Sequence, residues 1–70
     1  MSQIQANMAG MVINILVNVG DEVRDGQDVI MLESMKMEVP IQAEQPGTVK
    51  EIKIGVGDFV EDGQALIELE

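Results

Sequence analysis

The sequence predicts an all-β fold: a flattened barrel or sandwich of about eight short strands with pseudo-two-fold symmetry, the strand number following from the spacing of the turn signals. Three observations carry this reading. The chain repeats itself, its apolar residues alternate with a period of two, and its turn residues recur at matching places in the two copies. A chain of 70 residues has room for one domain, read here as residues 1–70.

The first copy runs from Gly10-Met11-Val12 to Leu32-Glu33 and the second from Gly47-Thr48-Val49 to Leu69-Glu70, an offset of 37 residues. At this offset Val19-Gly20-Asp21 matches Val56-Gly57-Asp58, and Asp25-Gly26-Gln27 matches Asp62-Gly63-Gln64. Val12, Ile15, Val23, Ile30 and Leu32 likewise match Val49, Ile52, Val60, Ile67 and Leu69. Two ungapped copies imply two structural halves related by an approximate two-fold axis.

Each element follows from local pattern. Ile52, Ile54 and Val56 alternate with Lys53 and Gly55, the pattern of a half-buried strand. The step of three from Val49 to Ile52 breaks the alternation, so β-bulges are expected near Lys50-Glu51 and Ile13-Asn14. Asp25-Gly26 and Asp62-Gly63 predict turns, because glycine accepts positive φ without a steric cost. Gly20-Asp21 and Gly57-Asp58 predict a second turn in each copy. Pro40 and Pro46 cannot donate to a ladder and belong at an edge or a strand end. No stretch carries a sustained helical period.

Composition excludes several function classes. The chain has no cysteine and no histidine, which removes thiol chemistry, the commonest general base and the commonest metal ligands; no metal site is expected. With 4 Lys and Arg against 13 Asp and Glu, and Phe59 as the only aromatic residue, it lacks the cations and stacking rings of a nucleic-acid binder. A formal charge of −9 favours solubility, opposes binding to anionic membranes and suits a basic patch on a protein partner. No apolar run approaches the ~20 residues of a membrane span. The first residues lack the basic start and apolar middle of a secretory signal, so a cytoplasmic protein is expected.

The segment Ser34-Met35-Lys36-Met37-Glu38-Val39-Pro40-Ile41 links the two copies. Lys36 has no counterpart in the repeat. Strands at 28–33 and 37–41 would make this linker a hairpin turn, placed opposite the chain ends if the halves are two-fold related. A lone lysine in a turn is ordinarily a solvated side chain, and paired methionines are ordinarily core. Here Met35 and Met37 flank a charged residue at a tip, where they form an apolar collar suited to an enzyme that must single out this lysine.

At these residues the chain resembles a known family. Glu33-Ser34-Met35-Lys36-Met37-Glu38 is similar to the attachment motif of biotinyl domains, commonly Ala-Met-Lys-Met. The repeat from about residue 4 to 70 resembles the biotinyl/lipoyl "hammerhead" fold. The likeness is to small free-standing biotin/lipoyl attachment proteins and to the biotin carboxyl carrier protein of acetyl-CoA carboxylase.

The resemblance implies a covalent biotin carrier that shuttles an activated carboxyl group between biotin carboxylase and carboxyltransferase sites of an acyl-CoA or related carboxylase. It implies that biotin protein ligase joins biotin to Lys36 by an amide, with Met35 and Met37 as flanking recognition residues and Glu33, Ser34 and Glu38 as the motif flank. The chain itself would be a non-catalytic carrier or subunit. Elementary chemistry agrees: lysine amines are almost wholly protonated at pH 7, and without histidine here the activation must come from the ligase.

Two departures stand out. Ser34 occupies the place where alanine is usual. There is neither an inserted thumb nor an Ala/Pro-rich tether, so the chain is expected to meet its partners by diffusion or as a separate subunit. A lipoyl carrier shares the fold and remains an alternative, although its motif is typically Asp-Lys-Ala without methionines. An unmodified β interaction module is a second. A Glu33/Glu38 acid/base pair is a third, weakened by the lack of an evident pocket.

One further expectation comes from the repeat. Ile13, Leu16 and Met31 align with Lys50, Lys53 and Glu68. Charged side chains must reach solvent, so the apolar three should face outward too. They would form a docking face for a carboxylase subunit or for a second copy in a weak homodimer, unless the strand around Ile4 covers them or the bulges turn them inward.

Overall fold

In a computed structural model, which describes residues 2–70, eight strands build two four-stranded antiparallel sheets with no helix among the described residues. The strands are β1 (Ser2–Gln5), β2 (Gly10–Ile15), β3 (Glu22–Val23), β4 (Asp28–Ser34), β5 (Met37–Gln42), β6 (Gly47–Ile52), β7 (Phe59–Val60) and β8 (Ala65–Leu69). One sheet has the order β5-β4-β2-β7 and the other β1-β8-β6-β3.

The 37-residue repeat is obeyed pair by pair. Val12↔Leu32, Asn14↔Met31 and Ile15↔Ile30 in the first sheet correspond to Val49↔Leu69, Glu51↔Glu68 and Ile52↔Ile67 in the second. The skipped residues are Ile13 and Lys50, so both bulges lie where the broken alternation puts them. The repeat also reaches further back than its motifs suggest. Ile4-Gln5-Ala6 in and after β1 corresponds to Ile41-Gln42-Ala43 in and after β5, and Ile4↔Ile67 repeats Ile41↔Ile30.

The halves exchange strands. β7 of the second copy pairs with β2 of the first, and β3 of the first pairs with β6 of the second. Turn hydrogen bonds complete the exchange: Gly20 N–H donates to the Val49 carbonyl and Gly57 N–H to the Val12 carbonyl, each at 2.8 Å. Neither copy therefore satisfies its own backbone.

The core lies between the sheets and is built from two-fold pairs: Ile4/Ile41, Ala6/Ala43, Val12/Val49, Val23/Val60, Val29/Leu66, Ile30/Ile67 and Leu32/Leu69, all buried. No charged residue joins them among the described residues. Burying β-branched and leucine side chains of this kind stabilises by about 1.5–3 kcal/mol each before chain entropy is counted.

The turns form as the glycines predict. Gly26 and Gly63 have φ of 85° and 86°, and Gly20 and Gly57 both have 95°. Asp21 and Asp58 close the second turn of each copy by accepting from Asn18 N–H and Gly55 N–H at 2.8 Å. The alternation across Ile52, Ile54 and Val56 does not continue as a strand. The ladder stops at Ile52 and the chain enters the Gly55–Asp58 turn, leaving Ile54 packed on the core and Val56 exposed. Lys53 accordingly follows β6 instead of lying within it. Pro40 falls inside β5, an edge strand, where its missing N–H breaks no inter-strand bond, and Pro46 precedes β6.

Candidate functional site

The link between the copies is a β-hairpin. β4 and β5 pair from Asp28↔Gln42 to Ser34↔Met37, so only Met35 and Lys36 are left to reverse the chain. Both adopt positive φ, 52° and 63°. Two central residues with positive φ mark the type I′ hairpin, whose twist matches that of its strands and which favours Asn-Gly. Each residue with a Cβ held there costs about 1 kcal/mol or more. This turn was not readable from composition, since Met-Lys offers neither glycine nor asparagine. The hairpin itself was readable, from the strands on either side.

The tight turn thrusts its side chains into solvent. Met35 is 92% exposed and Met37 65%, and Lys36 between them is exposed. The two methionines thus bracket Lys36 outside the core, as the collar reading requires. Glu33 and Glu38 face each other across the hairpin, both exposed, while Ser34 is half-buried opposite Met37. The ion pairs among the described residues belong to the other lysines: Lys50 to Glu68 at 4.0 Å, and Lys53 to Glu51 and Glu68 at 3.7 Å. Lys36 takes part in none of them.

The hairpin stands on a rigid base. Leu32 is fully buried on β4, two pairs below the turn, and Ile41 anchors β5. β2 passes close under Glu33, because a Cβ on Gly10 would lie 2.7 Å from the Glu33 carbonyl oxygen. The need for glycine at position 10 had no signal in the sequence beyond its recurrence as Gly47. A polar cleft of about 220 Å³ is lined by Gln3, Gln5, Asn7, Gln42, Glu44 and Asp62 among others, and by none of residues 33–38. Glu33 and Glu38 stand exposed on the hairpin, outside that cleft. What the site presents is one accessible primary amine at the end of a stiff hairpin.

The chain is similar to known proteins in both sequence and fold. A 38-residue stretch is 42% identical to "Biotinylated protein TB7.3" of Mycobacterium tuberculosis (strain ATCC 25618 / H37Rv), covering 54% of each chain. A 38-residue stretch is 48% identical to the "Biotin/lipoyl attachment protein" of Bacillus subtilis (strain 168), covering 54% of this chain and 52% of that one. The matches thus span about half the length of these relatives. Among solved structures, the Kluyveromyces lactis urea carboxylase superposes with a TM-score of 0.91 at 30% identity, covering 99% of this chain and 6% of that one. The biotin/lipoyl family model, described as "Biotin-requiring enzyme", matches residues 2–69, the span from the start of β1 to the end of β8, and the chain belongs to this family.

Proposed function

We propose that the chain is a covalent biotin carrier with Lys36 as its attachment point, carrying an activated carboxyl group between biotin carboxylase and carboxyltransferase sites of an acyl-CoA or related carboxylase. The observation that carries this reading is the position of Lys36: an exposed lysine on a two-residue turn, in a chain of a biotin-requiring family. Biotin bound there supplies a ureido nitrogen able to take up and release a carboxyl group. The chain's own part is mechanical. Lys36 Nζ, deprotonated within biotin protein ligase, forms an amide with the biotin carboxyl carbon as AMP leaves the ligase-made adenylate. Met35 and Met37 give the ligase an apolar surface on either side of that amine, with Glu33, Ser34 and Glu38 completing the motif it reads. The strained, two-residue turn holds the amine away from the core, so partner enzymes reach it without unfolding the hairpin. The carrier would act in the cytoplasm, as one unit over residues 1–70.

The test is intact-mass measurement of protein from its native host, together with co-expression of wild type and Lys36→Ala with a biotin ligase. A single biotin adduct on wild type and none on the variant is expected. An unmodified wild-type mass would favour an interaction module, and reaction with anti-lipoate antibody in place of streptavidin would favour a lipoyl carrier.

A further inference from the structure

The two-fold repeat supplies an internal control for surface chemistry, because outward positions on one sheet, away from the hairpin tip, have twins on the other. On the β1-β8-β6-β3 sheet, Glu68 reaches both Lys50 and Lys53, at 4.0 and 3.7 Å. Those distances place the side chains of the three positions together. Their twins are Met31 and Ile13 on the sheet that carries the hairpin and Leu16, which directly follows β2. None of the three enters the core: Leu16 is 46% exposed, and Ile13 and Met31 are half-buried. β1 does not cover them, since it pairs with β8 in the opposite sheet.

The neighbouring row shows the same asymmetry. Met11 stands opposite Phe59 across β2 and β7, whereas the twin pair is Thr48 and Glu22. Met11 is 41% exposed and Phe59, the only aromatic residue of the chain, 65%. One outer face is thus polar and ion-paired and the other apolar in five matching places.

The charge around the apolar face has one sign. β2, β4, β5 and β7 contain no lysine or arginine, yet they carry Asp28, Glu33 and Glu38. Glu33 lies directly between Glu38 and Met11 in the ladder, so a carboxylate pair continues the Met11–Phe59 row across β4 and β5 and stands between Met31 and the Lys36 turn. Two like charges set opposite each other in a sheet oppose folding slightly, and a cation from outside relieves them. A second copy of a chain with net charge −9 and only 4 Lys and Arg against 13 Asp and Glu is repelled overall. An enzyme site that gathers bicarbonate and nucleotide phosphates is necessarily electropositive and attracts this face over a distance.

We infer that the outer face of the hairpin-bearing sheet, made by Met11, Ile13, Leu16, Met31 and Phe59, docks the enzyme that carboxylates the cofactor carried at Lys36, through an apolar centre with a basic rim on that partner. The inference rests on the carrier reading above. Docking there places the partner against Met11 beside the Glu33–Glu38 pair and against Met31 beside Pro40, close enough to the turn to take up the loaded side chain while the sheet stays bound.

The experiment grafts the polar face onto the apolar one in the full chain, as Ile13→Lys/Leu16→Lys/Met31→Glu. These side chains already occupy the twin sites, so the backbone accepts them. Leu16→Lys alone serves if the triple variant melts early. The reverse graft, Lys50→Ile/Lys53→Leu/Glu68→Met, is the control. Each protein is loaded by biotin ligase, checked by intact mass, and assayed with the biotin carboxylase of its own host, bicarbonate and MgATP at varied carrier concentration.

Loading within twofold of wild type is expected, with a rise of about tenfold or more in KM for the carrier, little change in kcat and no such rise in the control. Added salt should raise the wild-type KM as well. An unchanged KM in the loaded graft overturns the proposal, as does a loading defect that accounts for the whole effect. A concentration-dependent dimer of wild type, lost in the graft without a change in KM, assigns the face to self-association instead. A wild type that takes no biotin overturns the carrier reading, and the docking proposal falls with it.

Discussion

Ser34 and Met37 face each other as the last pair of the β4–β5 ladder, and this pairing decides the site. It leaves two residues for the turn and forces Met35 and Lys36 into the left-handed region, where side chains are strained and point away from the sheet. Access to the amine and local strain thus have one cause.

That cause makes stability and function separable at position 35. Met35→Asn places a residue that tolerates positive φ at the first turn position. It should raise unfolding stability by about 0.5–1 kcal/mol in urea titration, while ligase loading falls with loss of the methionine. A loss of stability would show that the Met35 side chain packs on the domain.

Lys36 should be the sole modification site. Lys36→Ala should lose all labelling by biotin ligase, and Lys36→Arg should do the same, because arginine keeps the charge but does not deprotonate to a nucleophile. Both variants should melt within about 0.5 kcal/mol of wild type, being surface changes. Residual adduct in either would point to Lys50 or Lys53, which peptide mapping would locate.

Met35→Asp tests the collar. With Met35 92% exposed, stability should fall by less than about 0.5 kcal/mol, if at all. The rate of biotinylation should fall several-fold, and some lipoylation by a lipoate ligase should become measurable. An unchanged biotinylation rate would show that the ligase reads the hairpin without this side chain.

Gly10 tests the base of the hairpin. A Cβ there meets the Glu33 carbonyl oxygen at 2.7 Å, so Gly10→Ala must shift β2 or β4. A destabilisation of about 1–3 kcal/mol is expected, in line with overpacking elsewhere. Gly47→Ala, whose nearest contact is the Leu69 side chain at 3.2 Å, should cost less. Equal costs would show that the backbone at Glu33 yields freely.

Much of this was legible because a repeat constrains twice. The bulges at Ile13 and Lys50 followed from one broken alternation seen in both copies, and the turns at Gly26 and Gly63 from the φ that glycine alone takes without strain. The extent of the strands after Ile52 was misread, since alternating side chains do not reveal that Gly55 and Asp58 close a turn. The strand exchange was hidden because pairing partners lie far apart in sequence and leave no local mark. At the site, place and exposure were legible in the unrepeated Met35-Lys36-Met37. The left-handed turn was not, because strand pairing imposes it against the preference of its own residues.

The exchange of β3 and β7 has a consequence for origin. Two unlinked 37-residue units could close the same pair of sheets by lending each other a short strand, as a swapped homodimer does. Such a dimer would have loose chain ends at both poles, for Ser2 and Leu69 lie in one sheet where Val39 and Leu32 lie in the other. Only fusion in tandem turns one pair of loose ends into a continuous hairpin. Lys36 sits on that seam, so the place where ancestry would have stitched two halves together is also the one place where the symmetry ends and chemistry has somewhere to happen.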